Sequence, residues 1–594
     1  MLVSHSNFDQ AIQILLNIKD YLVVDLETTG LKPYHGDRIC GIAIGQKDQR
    51  FYFPFRHEDP VSADNLPVSW IKKLYPILTN PDIVYVGWNY KFDLQFLYME
   101  GFELPNKIED IMLAAHLQNE NEYELVNGKV KFLGIKPKVS YQLKRLSDKY
   151  LNSNSSLQEQ ILIDKILNQK FASTPKKAKG AMWKLPASDV APYAIDDIRL
   201  TEEMRDFYIP HLKNWLLYDI YLEVNRYSLI TTKAEINGLP LDVDLIKKYI
   251  ISTKSNINRL KAEIDQIAGY AVNPNSPKQL CNLLGVPSSR AEILTELTEK
   301  GDPIAKLISE YRQWSKVANT YYQKYLDEMD DNRKIHTSLH LTGTVSGRLS
   351  SSNPNLQAIP RKTDIYKVKD VFVALPDHYF VQADYSQAEM RLGVHYANEE
   401  AMKEKIIRGA DLHTETANEL GIPRDAAKRI NFGVIYGIGK VSLATQLKID
   451  EKLAGQYLNK YHKLYPGFRQ LYKKCEAMAE QRGYIRMWTG RVRRYDTHNP
   501  AHKAMSNLIQ GGVAEMMRVV ITTIDEQIPE VQMCLQVHDS IVFQVPKENY
   551  TFYLDKIRKI MEEVPQFSVP MLVDIEYGES WGTTKQYKGG LINE

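Results

Sequence analysis

The chain has 594 residues and is 44% hydrophobic, enough for several cores, so two to four domains are expected. Its 75 basic and 73 acidic residues nearly cancel to +2, so a polyanionic partner must be met by local patches, and net charge neither supports nor excludes nucleic acid. Four scattered cysteines (Cys40, Cys281, Cys475, Cys534) argue against a zinc cluster or disulfide framework, no apolar run approaches membrane-spanning length, and no basic leader precedes an apolar core, so a cytoplasmic protein without a membrane partner is expected.

In chain order, the first 210 residues alternate strand and helix patterns. "YLVVDLE", "ICGIAIG" and "IVYVGWN" read as strands and "DIMLAAHL" opens a helix, which makes an α/β domain. Asp25 and Glu27 stand two apart on the first strand, and a period of two puts both on one face. Paired carboxylates repel, and a cation is the natural compensation. In "GWNYKFD", Asn89 precedes Asp93 by four, and in "YAIDDIRLTEEM" Tyr193 and Asp197 share a helical face at the same step. Each alone is equally a helix cap or surface pair. Together Asp25, Glu27, Asp93 and Asp197 supply oxygen ligands suited to magnesium or manganese, and such a site can hold two ions roughly 4 Å apart and hydrolyse a phosphodiester. A Ser/Asn stretch at 152–156 and "STPKKAKGAMWK" at 173–184 interrupt the pattern. The second reads as a basic, mobile loop, either solvated or touching nucleic acid.

From about 211 to 345 the pattern is mostly helical, broken by "NPNSPKQ" and by Gly301-Asp302-Pro303. The last 250 residues mix strands, around 371–384 and 533–545, with long helices, and no repeat of 20 to 50 residues is present. "YFVQADYSQAEMR" carries a strand into Asp384 and then starts a helix. In "PRDAAKRINFGVIYG", Arg424, Lys428, Phe432 and Tyr436 fall at steps of four, each advancing about 40° around a helix that Pro423 can start. That face either meets a phosphate-bearing ligand or divides into core aromatics and solvated bases. "LQVHDSIVFQV" (535–545) is a strand–turn–strand with Asp539 at its tip, a turn residue or a group held for use. Asp384 would be its partner.

The order Asp-x-Glu, Asn-x3-Asp, Tyr-x3-Asp resembles the proofreading 3′–5′ exonucleases of the DEDDy type. By that resemblance Tyr193 orients the attacking water, and Asp110 has a supporting role. "SGRLSSSNPNLQAIP" (346–360), "DYSQAEMR" (384–391), the Arg424-to-Tyr436 segment and "QVHDS" (536–540) follow one another as in family A DNA polymerases, and the resemblance covers nearly the whole chain. It implies an RNase H-like exonuclease domain at 1–210, linker helices and thumb at 211–345, and palm with fingers at 346–594, the fingers at about 400–500. The fold class is then a multidomain combination of α/β and α+β parts in a right-hand arrangement. Asp384 and Asp539 are implied to hold two magnesium ions, which manganese can replace.

The same resemblance assigns Arg424 and Lys428 to dNTP phosphates with help from His413, Phe432 to the sugar and Tyr436 to the templating position. It makes Glu389 the gate against a ribose 2′-hydroxyl. Arg348, Asn355, Gln357, Gln510 and His538 are implied to contact primer–template DNA, including its minor groove, which varies little between correct pairs. A monomer is expected, without a processivity-factor insertion in the thumb and without a preceding 5′-nuclease domain. Two positions depart from the pattern that this resemblance implies for bacterial members of the family: Ser540 stands where they carry Glu, and Ser506 where Asn is usual. His-Asp-Ser also resembles single-subunit RNA polymerases, which makes an enzyme of that kind the alternative; Glu389 and the exonuclease motifs argue against it. A nuclease whose C-terminal half merely binds DNA is a third reading, opposed by the presence of both Asp384 and Asp539.

Overall fold

A computed structural model describes residues 1–58, 64–126, 129–133 and 136–589. The N-terminal part is built on a five-stranded sheet: β1 (Tyr21–Thr28), β2 (Ile39–Gln46), β3 (Gln49–Pro54), β4 (Val84–Gly87) and β5 (Ile108–Asp110), in the order β3-β2-β1-β4-β5. β1 is central, antiparallel to β2 and parallel to β4. Leu22, Val23, Val24 and Leu26 of β1 are all buried because helices cover both faces, and Asp25 and Glu27 are the polar exceptions in that run. Asp110 ends β5 and caps the Ile111–Gln118 helix, accepting from the Met112 N–H at 3.0 Å, while it also takes the Asn89 and Tyr90 N–H groups at 2.9 and 3.0 Å. Asp110 thereby fixes the β4 exit loop.

Asn152 and Asn154 adopt left-handed backbone (φ 54° and 55°) and turn the chain into the Ser155–Asn168 helix. The expected basic loop at 173–184 is not a loop. Thr174 caps a Pro175–Lys179 helical turn and a 3-10 turn follows at Met182–Lys184. Ala178, Met182 and Leu185 are buried against the sheet domain, so three apolar side chains among the lysines decide the local structure. The Ala187–Asn214 helix then runs 28 residues and meets the Tyr218–Asn237 helix through Trp215–Leu217.

The helical middle pairs Val243–Ala268 with Pro303–Lys316, closed at the tip by a small core of Ile264, Leu280, Leu294 and Ile308. Its two sequence breaks are helix starts: Ser276 caps the Pro277–Leu284 helix, and Asp302 accepts from Ile304 and Ala305 N–H at 2.9 and 3.0 Å.

A second sheet follows: β6 (His378–Tyr385), β7 (Gln532–Val537), β8 (Ser540–Pro546), β9 (Val573–Gly578) and β10 (Lys585–Tyr587), antiparallel throughout in the order β7-β8-β6-β9-β10. The Ala504–Gln527 helix packs behind it, and the helices from Glu400 to Arg482 enclose a core of their own. Buried ion pairs join the two halves of the chain. Glu120 accepts from Arg493 at 2.9 Å and Arg494 at 3.0 Å, and Lys91 pairs with Glu235 at 2.7 Å while donating to the Leu339 carbonyl at 2.6 Å. Beside them Glu515 is fully buried, which alone would raise its carboxyl, yet Arg518 and Arg491 hold it down at about 2. All four cysteines are free thiols. Among the described residues no helix is long and apolar enough to cross a membrane.

Candidate active sites

The first site forms where β1 meets two helices. Asp93 sits in the first turn of the Lys91–Met99 helix, and its carboxylate accepts from the Leu26 N–H at 3.0 Å, which ties it to the backbone between Asp25 and Glu27. Asn89 lies outside that helix with φ 55°, so its spacing to Asp93 is not a helical step. Tyr193 and Asp197 do share one helix, and both line a cleft of about 620 Å³ with Trp88, Asn89, Lys144 and Glu159. Lys144, which the sequence did not single out, pairs with Asp197 and places Nζ 4.4 Å from the centre of the Tyr193 ring.

Burial raises the carboxyls of Asp25, Glu27 and Asp93 above their ordinary range. The charge of Asp25 adds to the rise of the other two, and Lys144 pulls Asp25 and Glu27 part of the way back. An all-carboxylate donor set that burial and repulsion destabilise fits hard divalent cations. Among the described residues no three such side chains already converge as a finished metal cage.

The second site lies on the antiparallel sheet. His538 and Asp539 form the two-residue turn between β7 and β8, with His538 at φ 57°. Asp384 faces Ser540 across β6–β8 and Asp574 across β6–β9, and the Tyr385 N–H donates to the Asp539 carbonyl at 3.3 Å. The register therefore delivers the strand-end acid beside the turn acid. Burial, with the charges of Asp539 and Asp574, pushes the Asp384 carboxyl up to about 6, and burial followed by the charge of Glu389 raises Asp539.

Side chains of the hairpin's own strands hold the turn. The Ser540 hydroxyl donates to the Val537 carbonyl at 3.0 Å, and the Gln536 amide donates to the His538 carbonyl at 3.0 Å. Gln536 in turn receives the Tyr227 hydroxyl on its side chain and the Gln357 amide on its carbonyl at 2.8 Å. Gln536 and Tyr227 escaped the sequence reading. The available signal was an amide within an apolar strand, which when buried must find partners.

The Arg424–Ile435 helix presents Lys428, Phe432 and Tyr436 to one cleft of about 830 Å³, as the four-residue steps require. Arg424 pairs with Asp411 at 2.8 Å. His413 is buried, bonded to the Asn431 amide at 3.0 Å, with its ring 5.6 Å from that of Phe432. Glu389 accepts from both Arg348 and the Tyr436 hydroxyl, and Gln510 lies beside that hydroxyl. Asn355 accepts from Ser351 Oγ at 2.8 Å and caps its own short turn. Gln357 also donates to the Leu349 carbonyl at 3.1 Å, and His538 is exposed. Gly347 in the first of these motifs adopts φ 78°, and a Cβ there would come within 2.7 Å of the Arg491 guanidinium, so glycine is required.

Residues 243–583 match the family model for DNA polymerase family A, and residues 2–208 match that for a 3′–5′ exonuclease. The chain belongs to DNA polymerase family A. Similar curated proteins include the DNA polymerase I of Rhizobium leguminosarum, 28% identical over 94% of this chain and 58% of that protein, and that of Bacillus subtilis, 27% identical over 93% of this chain and 62% of that protein. The chain thus spans about three fifths of the length of these relatives. Among solved structures, the polymerase domain of Pol1 from M. smegmatis in complex with DNA primer-template and dNTP has a similar fold, with a TM-score of 0.77 at 21% identity over 98% of this chain and 99% of that one. Family A polymerase and exonuclease domains are metal-dependent in general.

Proposed function

We propose that this chain extends a primer 3′ end with dNTPs on a DNA template at the Asp384–Asp539 site and removes 3′-terminal nucleotides at the Asp25–Glu27–Asp93–Asp197 site, working in DNA replication or repair. The division follows the expected boundaries: exonuclease at 1–210, linker helices and thumb at 211–345, palm and fingers beyond. The carrying observation is the strand register that sets Asp384 beside the Asp539 turn, linked through Glu389 to a helix bearing Lys428, Phe432 and Tyr436. Two magnesium or manganese ions, held by Asp384 and Asp539, would supply the positive charge that favours the primer 3′-alkoxide and the departing pyrophosphate. Asp25, Glu27, Asp93 and Asp197 would hold two more, and Tyr193 orients the water there.

The chain's own groups do the rest. As the primer oxygen bonds to the α-phosphorus and the bond to the bridging oxygen breaks, Lys428 and Arg424 meet the charge that gathers on pyrophosphate, and His413 supports the helix that carries them. Phe432 packs by the sugar and Tyr436 by the templating base. Arg348, Asn355, Gln357, Gln510 and His538 lie along the duplex, and those of them that now bond within the protein exchange these contacts for DNA. The helical pair Val243–Ala268 and Pro303–Lys316 tracks duplex phosphates as a thumb without a processivity-factor insertion, in a monomer.

A labelled primer–template should lengthen with dNTPs and shorten without them, as read on a sequencing gel. Elongation with rNTPs alone would favour the RNA polymerase alternative, and no elongation the nuclease. A narrower expectation concerns Glu389. Because it bonds the Tyr436 hydroxyl beneath the proposed sugar pocket, Glu389→Ala should raise ribonucleotide over deoxyribonucleotide incorporation by at least tenfold. Unchanged sugar selectivity in competing single-nucleotide incorporations would remove Glu389 from that role.

A further inference from the structure

Lys144 is the unexpected charge in the exonuclease cleft. It lies on the Leu143–Leu151 helix, anchored by buried Leu146 and Ser147, and its side chain is only 8% exposed. The amine is paired with Asp197 and shares the cleft with Glu159 and Tyr193; burial lowers its ammonium, and the charges of Asp196, Asp25, Glu159 and Glu27 oppose that. A cation so placed costs desolvation that its partners must offset. Glu159, on the Ser155–Asn168 helix, is itself paired with Lys179 at 2.7 Å.

Asp197 cannot give the same lone pairs to an ammonium and to a divalent cation. We infer that Lys144 is the resident counter-charge of the exonuclease cluster: it yields Asp197 when divalent cations bind and then donates to the phosphate being cleaved. The inference rests on the exonuclease assignment above. Once released from Asp197, the amine is held nearby by the face of the Tyr193 ring and needs a new anion. The substrate phosphodiester brings one. In the hydrolysis, the water oxygen bonds to phosphorus, the bond from phosphorus to the preceding 3′-oxygen breaks, and the electron pair leaves with that oxygen. That oxygen gains the proton which water gives up. Lys144 donates a hydrogen bond to a non-bridging oxygen throughout and loses no proton.

The test counts bound Mn2+ by electron paramagnetic resonance in an Asp384→Ala, Asp539→Ala background, which leaves the ions of the exonuclease site to be counted. In parallel, digestion of a labelled single strand is followed across a Mg2+ titration in the otherwise native chain. Lys144→Met should bind Mn2+ at least fivefold more tightly, yet digest at least tenfold more slowly at saturating Mg2+, with primer extension unchanged. Lys144→Arg, which keeps the charge, should recover part of the digestion rate. Mn2+ binding that is unchanged or weaker in Lys144→Met overturns the inference, and so does undiminished digestion at saturating Mg2+. Lys144→Gln is judged by the same two criteria if Lys144→Met loses extension through misfolding. Should digestion by the otherwise native chain survive Asp25→Ala with Glu27→Ala, the exonuclease assignment fails instead, whatever Lys144 does.

Discussion

Asp539→Ala should reduce single-nucleotide incorporation to background, whereas Ser540→Ala should cost less than tenfold, below about 1.4 kcal/mol in barrier. The two residues are neighbours in one hairpin and do different things. Ser540 is buried, and its hydroxyl donates to the Val537 carbonyl at 3.0 Å, a bond worth about 1 kcal/mol in shaping the turn. That shape is also held by Gln536 on the His538 carbonyl at 3.0 Å and by the continuous β6–β8 register, so the loss of one hydroxyl leaves Asp539 in place. Asp539 has no such understudy. Its charge is one reason the Asp384 carboxyl is pushed up to about 6, which marks the two as a pair that a cation would relieve. Deleting Asp539 leaves Asp384 without the turn acid, and Asp574, opposite it across β6–β9, stands on the other side of β6 from that turn. Ser540→Glu should retain activity and shift its preference between magnesium and manganese, because a further carboxylate attracts cations and repels Asp539 together. Incorporation measured across both metal titrations decides it, and Ser540→Ala as damaging as Asp539→Ala would sink the one-acid view of this turn.

Much of this was readable in advance because it depends on period and order. A strand period of two was enough to put Asp25 and Glu27 on one face, and steps of four were enough to align Lys428, Phe432 and Tyr436. What stayed hidden were contacts between distant residues. The Leu26 N–H that fixes Asp93 is 67 positions away, and the Arg493 that meets Glu120 is 373 away. No local pattern encodes either. Lys144 was masked differently: in "LKRLSDKYL" a lysine on an amphipathic helix looks like one more solvated charge, and only tertiary packing turns it inward. The 173–184 segment failed for the reverse reason, since its lysines drew attention from Ala178 and Met182, the residues that anchor it.

Asp25→Ala combined with Glu27→Ala should lower 3′–5′ digestion at least a thousandfold, about 4 kcal/mol of barrier, while primer extension stays within twofold. The two sites stand on different sheets with separate cores, so the loss of two side chains from β1 has no route to Asp384 or Asp539 through a shared strand. Equal loss of both activities would end the two-site assignment. The same substitution carries a second expectation, of opposite sign, for stability. Burial raises both carboxyls in the folded chain above their ordinary values, Asp25 further raises Glu27, and Lys144 only partly opposes them. The folded state therefore binds these protons more tightly than the unfolded state, and stability falls as pH rises from the unfolded toward the folded values. With divalent cations chelated, the double variant should melt at a higher temperature than the native chain at pH 8, and the gap should narrow at pH 5, where protonation already relieves the native pair. Lys144 keeps Asp197 as its partner in the variant, so no unpaired buried charge cancels the gain. A melting-temperature difference independent of pH would show that these two acids carry no such strain.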